Sequence, residues 1–213
     1  MSFRPPRGQP LDLTGPAGLL EALLEDPEPD APAGEPRRGF GVICHPHPLH
    51  GGTMTNKVVH MLARGLQEQG LPTIRFNFRG VGRSQGQYDE GRGETEDALA
   101  VIEWGRARWP RTPLTLAGFS FGSRVALMAA PTARPSRLIT VAPAVSNPGY
   151  EQMQRPDCPW LILQGEADDL VDYRAVVAFA ERFSPPPVLR LFPGVDHYFN
   201  GHLPELREAL LQF

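Results

Sequence analysis

From residue 39 onward, short apolar runs alternate with amphipathic stretches, and few folds accommodate that alternation. Phe40 to Cys44 is a continuous apolar run stopped by His45-Pro46, which reads as a buried strand. Asn56 to Gln69 carries Val58, Val59, Leu62, Ala63 and Leu66 at helical spacing and ends at Gly70. Pro72 to Phe78, β-branched and aromatic, reads as a second strand. Glu94 to Arg108 is helical, Leu114 to Ala117 a strand and Ser123 to Ala130 a helix. Leu138 to Val141, Trp160 to Leu163 and Val188 to Phe192 are three further strands. Tyr173 to Phe183 and Leu203 to Leu210 are the last two helices. Strands alternating with helices mean βαβ units and a mainly parallel sheet covered on both faces. The expected class is α/β.

Residues 1–38 are less regular. Leu19 to Glu25 has helical propensity, yet Gly15-Pro16-Ala17-Gly18 between two apolar runs suits a hairpin turn equally well. Glu28 to Arg38 is proline-rich and charged, and is expected to be a surface loop. With no internal repeat and no second core in 213 residues, the expectation is one domain spanning 1–213.

Charge narrows the function classes. With 21 Lys+Arg against 24 Asp+Glu the chain is slightly acidic, and its arginines are scattered, so a nucleic-acid or anionic-membrane partner is not expected. Cys44 and Cys158, in no CxxC pair, read as buried free thiols of a reducing compartment. No apolar h-region follows Met1 and no run approaches the ~18 residues of a membrane span, so a cytoplasmic location is expected.

The chemistry concentrates in Leu114 to Gly122, where Gly118-Phe119-Ser120-Phe121-Gly122 spells G-x-S-x-G after a strand and before a helix. In such a turn the serine hydroxyl is pushed out above the sheet, and the glycines let helix and neighbouring strand approach. The N–H of Phe121 then lies at a helix N-terminus, where it can stabilise an oxyanion. A nucleophilic serine needs a base, and the base an orienting acid. His197 is the histidine after Ser120 that follows a strand, whereas His202 begins the final helix. Asp168 and Asp169, adjacent beyond Trp160 to Leu163, are not separated by chemistry alone.

Here the sequence resembles the α/β-hydrolase superfamily, and within it a group of small, lidless bacterial hydrolases. The resemblance rests on His45-Pro46-His47-Pro48 with Gly51-Gly52, on Asn56-Lys57-Val58-Val59, on Arg75 to Ser84, and on Gly118 to Gly122. It covers nearly the whole chain. It implies that the acid is Asp168, in a G-x-x-D pattern, that the base is His197, and that residues 11–25 form an edge β-hairpin. The second oxyanion donor comes from the loop after the first parallel strand. Pro46 and Pro48 lack an N–H, leaving His47 or Leu49, and the family's His-Gly-x pattern favours His47.

His45, His47 and His50 also spell H-x-H-x-x-H, which invites a metallohydrolase reading. A dinuclear site of that kind has an acid where this chain has Leu49, and needs further ligands from His60, His197 and His202. His60, on an apolar-patterned helix, reads as a half-buried or satisfied histidine. Arg79 to Ser84 lacks the glycine and lysine spacing of a phosphate loop and reads as a tight loop beside the nucleophile.

The expected function is a serine hydrolase with the triad Ser120, His197 and Asp168, acting as a carboxylesterase through an acyl-enzyme, with Phe121 and His47 as oxyanion donors. A thioesterase or an amidase/peptidase shares these residues. A non-catalytic binding protein on the same fold is the alternative of a different class. No cofactor or metal is expected, the partner is a small acyl ester, and a homodimer is left open. About 17 residues, Ala142 to Cys158, separate two strands where related enzymes insert a cap. That length predicts an open site suited to short acyl chains, with Phe119, Phe121, Tyr198 and Phe199 divided between pocket lining and core packing.

Overall fold

The structure, a computed structural model, describes residues 8–27 and 39–213. The loop expected over Glu28 to Arg38 lies outside the described residues. Eight strands form one sheet: β1 (Gly8–Gly15), β2 (Gly18–Glu25), β3 (Phe40–Cys44), β4 (Thr73–Phe76), β5 (Leu114–Phe119), β6 (Arg137–Val141), β7 (Trp160–Gly165) and β8 (Val188–Phe192). Their order is β1-β2-β4-β3-β5-β6-β7-β8, antiparallel at the β1 and β2 edge and parallel from β4 to β8.

Five helices cover it: α1 (Lys57–Glu68), α2 (Arg92–Arg108), α3 (Phe121–Ala133), α4 (Tyr173–Glu181) and α5 (Leu203–Leu211). The hydrophobic faces sort them. Val58, Val59, Leu62, Ala63 and Leu66 of α1 share one core cluster with Leu206, Ala209 and Leu210 of α5. Ala98 and Val101 of α2, Val125 and Ala129 of α3, and Val176 and Phe179 of α4 share the cluster on the other face. In β3, Phe40, Val42 and Cys44 belong to one cluster and Ile43 to the other, as strand alternation requires.

The segment with helical propensity, Leu19 to Glu25, is strand β2. Residues Pro16 and Ala17 close a two-residue hairpin, with Gly18 at φ 114°. Its alternation wins over propensity because Leu20, Ala22 and Leu24 are buried on one face and β4 is available to pair. A buried pair adds to this: Arg75 of β4 donates to both carboxylate oxygens of Glu25 at 2.7 and 2.9 Å.

Helix α1 starts at Asn56, whose side chain accepts from the Val58 N–H at 2.9 Å. The chain leaves β3 for β4 on one side and later enters β5 on the other. The loops after β3 and β5 therefore flank the point where strand order reverses, the usual place for a ligand crevice. Between β6 and β7 only one short 3₁₀ turn, Tyr150–Gln152, interrupts the loop, so no helical cap is inserted there.

Candidate active site

Ser120 joins β5 to α3 at φ 53°, ψ −114°, a backbone conformation that a non-glycine residue adopts only under strain. Its surroundings hold it there. The Ser120 N–H donates to Val141 O at 2.8 Å, and its own carbonyl accepts from Ser123 N–H at 2.9 Å. The two glycines are steric requirements. A Cβ on Gly118 would lie 2.1 Å from Gly122 O, and one on Gly122 would lie 2.2 Å from Cys44 O. Ser123 ties the turn to the sheet, its hydroxyl reaching the carbonyls of Gly118 and Val141, each at 2.9 Å.

Beyond β7 and β8 the structure brings Asp168 and His197 together. His197 Nδ1–H donates to Asp168 Oδ2 at 2.8 Å, with both side chains essentially buried. The other carboxylate oxygen accepts from the N–H groups of Leu170 and Val171 at 2.9 and 2.8 Å. Burial alone would raise the pKa of this carboxyl. The His197 hydrogen bond and the two backbone donors outweigh it, holding Asp168 below the usual carboxylate range. Asp169 is exposed, and His202 caps α5, its ring 3.2 Å from Glu205. Geometry thus separates the two aspartates that chemistry left equivalent.

Gln164 was not foreseen. At the end of β7 its amide donates to Asp168 Oδ2 at 3.0 Å and to Gly165 O at 3.0 Å. The signal lay in strand parity: Gln164 is a buried polar residue within an apolar strand.

The loop after β3 carries the three histidines. His45 is buried with both ring nitrogens engaged: Nδ1–H donates to Pro46 O at 2.6 Å and Nε2 accepts from Phe78 N–H at 3.1 Å. Burial pushes its pKa down to about 4, with the Pro46 bond opposing, and a neutral ring held by two backbone groups has no lone pair left for a metal. His47 and His50 stack at 4.3 Å, His60 is exposed on α1 rather than half-buried, and among the described residues no three His, Cys, Asp or Glu side chains cluster as a metal would need. The residues do not fit a dinuclear centre.

His47 N-caps the 3₁₀ turn Pro48–His50, and its Nδ1 accepts from Leu49 N–H at 3.2 Å. Leu49's donor is thereby engaged, whereas the His47 N–H has no partner among the described residues. The His47 ring packs against Phe121 and Tyr88, with centroids at 4.9 and 5.1 Å.

These elements enclose an open cleft of about 780 Å³, whose wall includes Ser120, Phe121, His197, His47, Tyr88 and Leu170. Of the four aromatics considered, Phe121 alone is in the wall. Phe119 and Phe199 are fully buried, Phe119 lying 5.1 Å from the His197 ring, and Tyr198 is exposed outside the cleft. The loop Arg79 to Ser84 faces the hairpin more than the nucleophile. Arg83 pairs with Asp12 and Glu21, and Ser84 bonds the Glu21 N–H and Asn77 O. Only Phe78, just before it, meets Phe121, edge-on at 5.8 Å.

Known proteins share this fold. A family profile described as "alpha/beta hydrolase fold" matches residues 49–150. The crystal structure of a Xanthomonas campestris protein, a member of the α/β serine hydrolases without lid, is 42% identical. It superposes with a TM-score of 0.92, covering 100% of this chain and 95% of that one. An α/β serine hydrolase homologue from Coxiella burnetii is 44% identical, with a TM-score of 0.90 and 96% of each chain covered. An uncharacterized protein of Rickettsia prowazekii is 33% identical over 207 residues, which are 92% of this chain and 84% of that protein.

Proposed function

This chain belongs to the α/β-hydrolase family, and within it we propose a serine carboxylesterase that cleaves short-chain acyl esters through an acyl-enzyme. The observation that carries the reading is the strained turn at Ser120, in the wall of the same cleft as a His197 held by a buried, ionised Asp168.

In this reading the Ser120 hydroxyl attacks the acyl carbonyl while His197 Nε2 takes its proton. Asp168 fixes the tautomer with Nε2 free and stabilises the imidazolium. The N–H groups of Phe121, at the start of α3, and of His47 donate to the oxyanion. His197 then delivers the proton to the leaving alkoxide, and a water activated by the same ring releases the acid. No cofactor enters. The short β6–β7 connection leaves the cleft uncapped, which favours short acyl chains over long ones that need an enclosed tunnel. Thioesters and amides would meet the same residues.

Two buried free cysteines suit a reducing, cytoplasmic setting, and no helix of the described residues is long and apolar enough to cross a membrane. The slight net negative charge fits a small ester rather than nucleic acid as partner, and a homodimer remains compatible.

Hydrolysis of p-nitrophenyl acetate, butyrate and octanoate tests the reading. The expected rate falls with chain length, ignores EDTA, and drops by at least about 10³-fold in Ser120→Ala. Activity that survives Ser120→Ala would contradict it.

A further inference from the structure

Among the described residues, two buried hydrogen-bond donors on residues that line the cleft have no partner. Arg124 lies one helical turn beyond Ser120 on α3, and its Nε–H is buried without a partner. The Tyr150 hydroxyl, on a side chain only 1% exposed, is likewise buried and unpartnered. Both residues contribute to the same wall as the nucleophile. Buried donors are normally satisfied, and an orphaned pair beside a reactive serine marks the place of a missing acceptor.

The backbone at two glycines passes close to the guanidinium. A Cβ on Gly149 would come within 3.2 Å of one of its terminal nitrogens, and one on Gly91 within 3.7 Å of its carbon. Both glycines sit at positive φ, 97° and 94°, so the loops before α2 and after β6 close on Arg124 without side chains in the way. Among the described residues Arg124 makes no ion pair. The other two charged residues of the wall, Arg92 and Glu90, lie 4.0 Å apart, and Arg92 also pairs with Asp89.

We propose that Arg124 and Tyr150 form a subsite for a carboxylate on the substrate, so that the preferred ester is anionic. A carboxylate offers acceptor lone pairs to both donors at once and supplies the charge that Arg124 lacks. The subsite rests on the serine-hydrolase reading above and adds the substrate class to it.

The test compares mono-p-nitrophenyl adipate with p-nitrophenyl hexanoate, which have equal acyl chains and differ in the terminal carboxylate. A second pair, the acetate esters of a hydroxyphenylpropanoate and of the propylphenol of the same shape, puts the carboxylate on the alcohol side. Wild type is expected to favour the anionic member of at least one pair by roughly tenfold or more in kcat/KM. Arg124→Gln should remove most of that preference, and Tyr150→Phe, which deletes one oxygen, should remove several-fold of it. No preference in either pair, or one that both variants retain, overturns the subsite while hydrolysis of the neutral esters leaves the hydrolase reading intact. If wild type turns over none of the four, the hydrolase reading fails, and calorimetry of adipate on Ser120→Ala decides the subsite separately. Binding that disappears when Arg124→Gln is added supports it, and absence of binding overturns it.

Discussion

At the scale of the residue, the site depends on groups whose protonation the fold dictates. His45 is the clearest. Its ring is neutral because Nε2 must accept from Phe78 N–H while Nδ1–H serves Pro46 O, so protonation would break the first bond. With a folded pKa of about 4, against about 6.5 in the unfolded chain, the unfolded state binds the extra proton between those values. His45 thus adds stability that is fully present above about pH 6.5 and is lost as pH falls toward 4, amounting to about 3 kcal/mol. Melting temperature measured across that window should fall steeply on acidification in wild type and with a shallower slope in His45→Gln, even if the variant is less stable throughout. Equal slopes would contradict this account of His45. The sequence shows a histidine triplet that resembles metal ligation, and only the third dimension shows one ring consumed by backbone bonds and the next accepting from the Leu49 N–H.

At the scale of the element, polar ties fix the loops that carry the chemistry. Asp97 of α2 is fully buried and accepts from the Arg79 N–H at 2.9 Å and from its guanidinium at 2.8 to 3.2 Å, joining α2 to the loop after β4. Asp97→Ala would leave the buried Arg79 guanidinium with only the exposed Glu96, at 3.2 Å, as its ion-pair partner, at a cost of up to roughly 3–5 kcal/mol. For a chain of this size that lowers Tm by about 10 °C, and calorimetry showing a shift of only a degree or two would contradict the role assigned to the pair. Most elements were legible in the sequence. The strands Phe40–Cys44 and Val188–Phe192 were read with their observed bounds, because apolar runs with breaking residues at their ends mark both period and limits. The helix after Ser120 was read two residues late and three short: Phe121 and Gly122 already belong to it, and it runs to Ala133 through Pro131. Composition alone makes Gly122 and Pro131 look like breakers, whereas the close passage of Cys44 demands the glycine. Tyr150 and Arg124 are illegible in the sequence for a different reason. Each is a single polar or aromatic residue whose meaning comes from what lies across the cleft, and no spacing in the chain records that.

At the scale of the whole molecule, the order of the strands places the site. Strand order reverses at β3, so the loops after β3 and β5 open on the same crevice, and the loops after β7 and β8 bring Asp168 and His197 together beside them. Without an inserted cap the cleft stays open, and substrate choice rests on its own wall, Arg124 and Tyr150 included. In the proposed mechanism one residue, Ser120, is the nucleophile and His197 activates it. Intact-protein mass spectrometry after treatment with a fluorophosphonate tests this without knowledge of the natural ester. A single phosphonyl adduct per chain is expected, mapped to Ser120, absent in Ser120→Ala and formed far more slowly in His197→Ala. An unmodified wild-type chain, or an adduct on another residue, would contradict it.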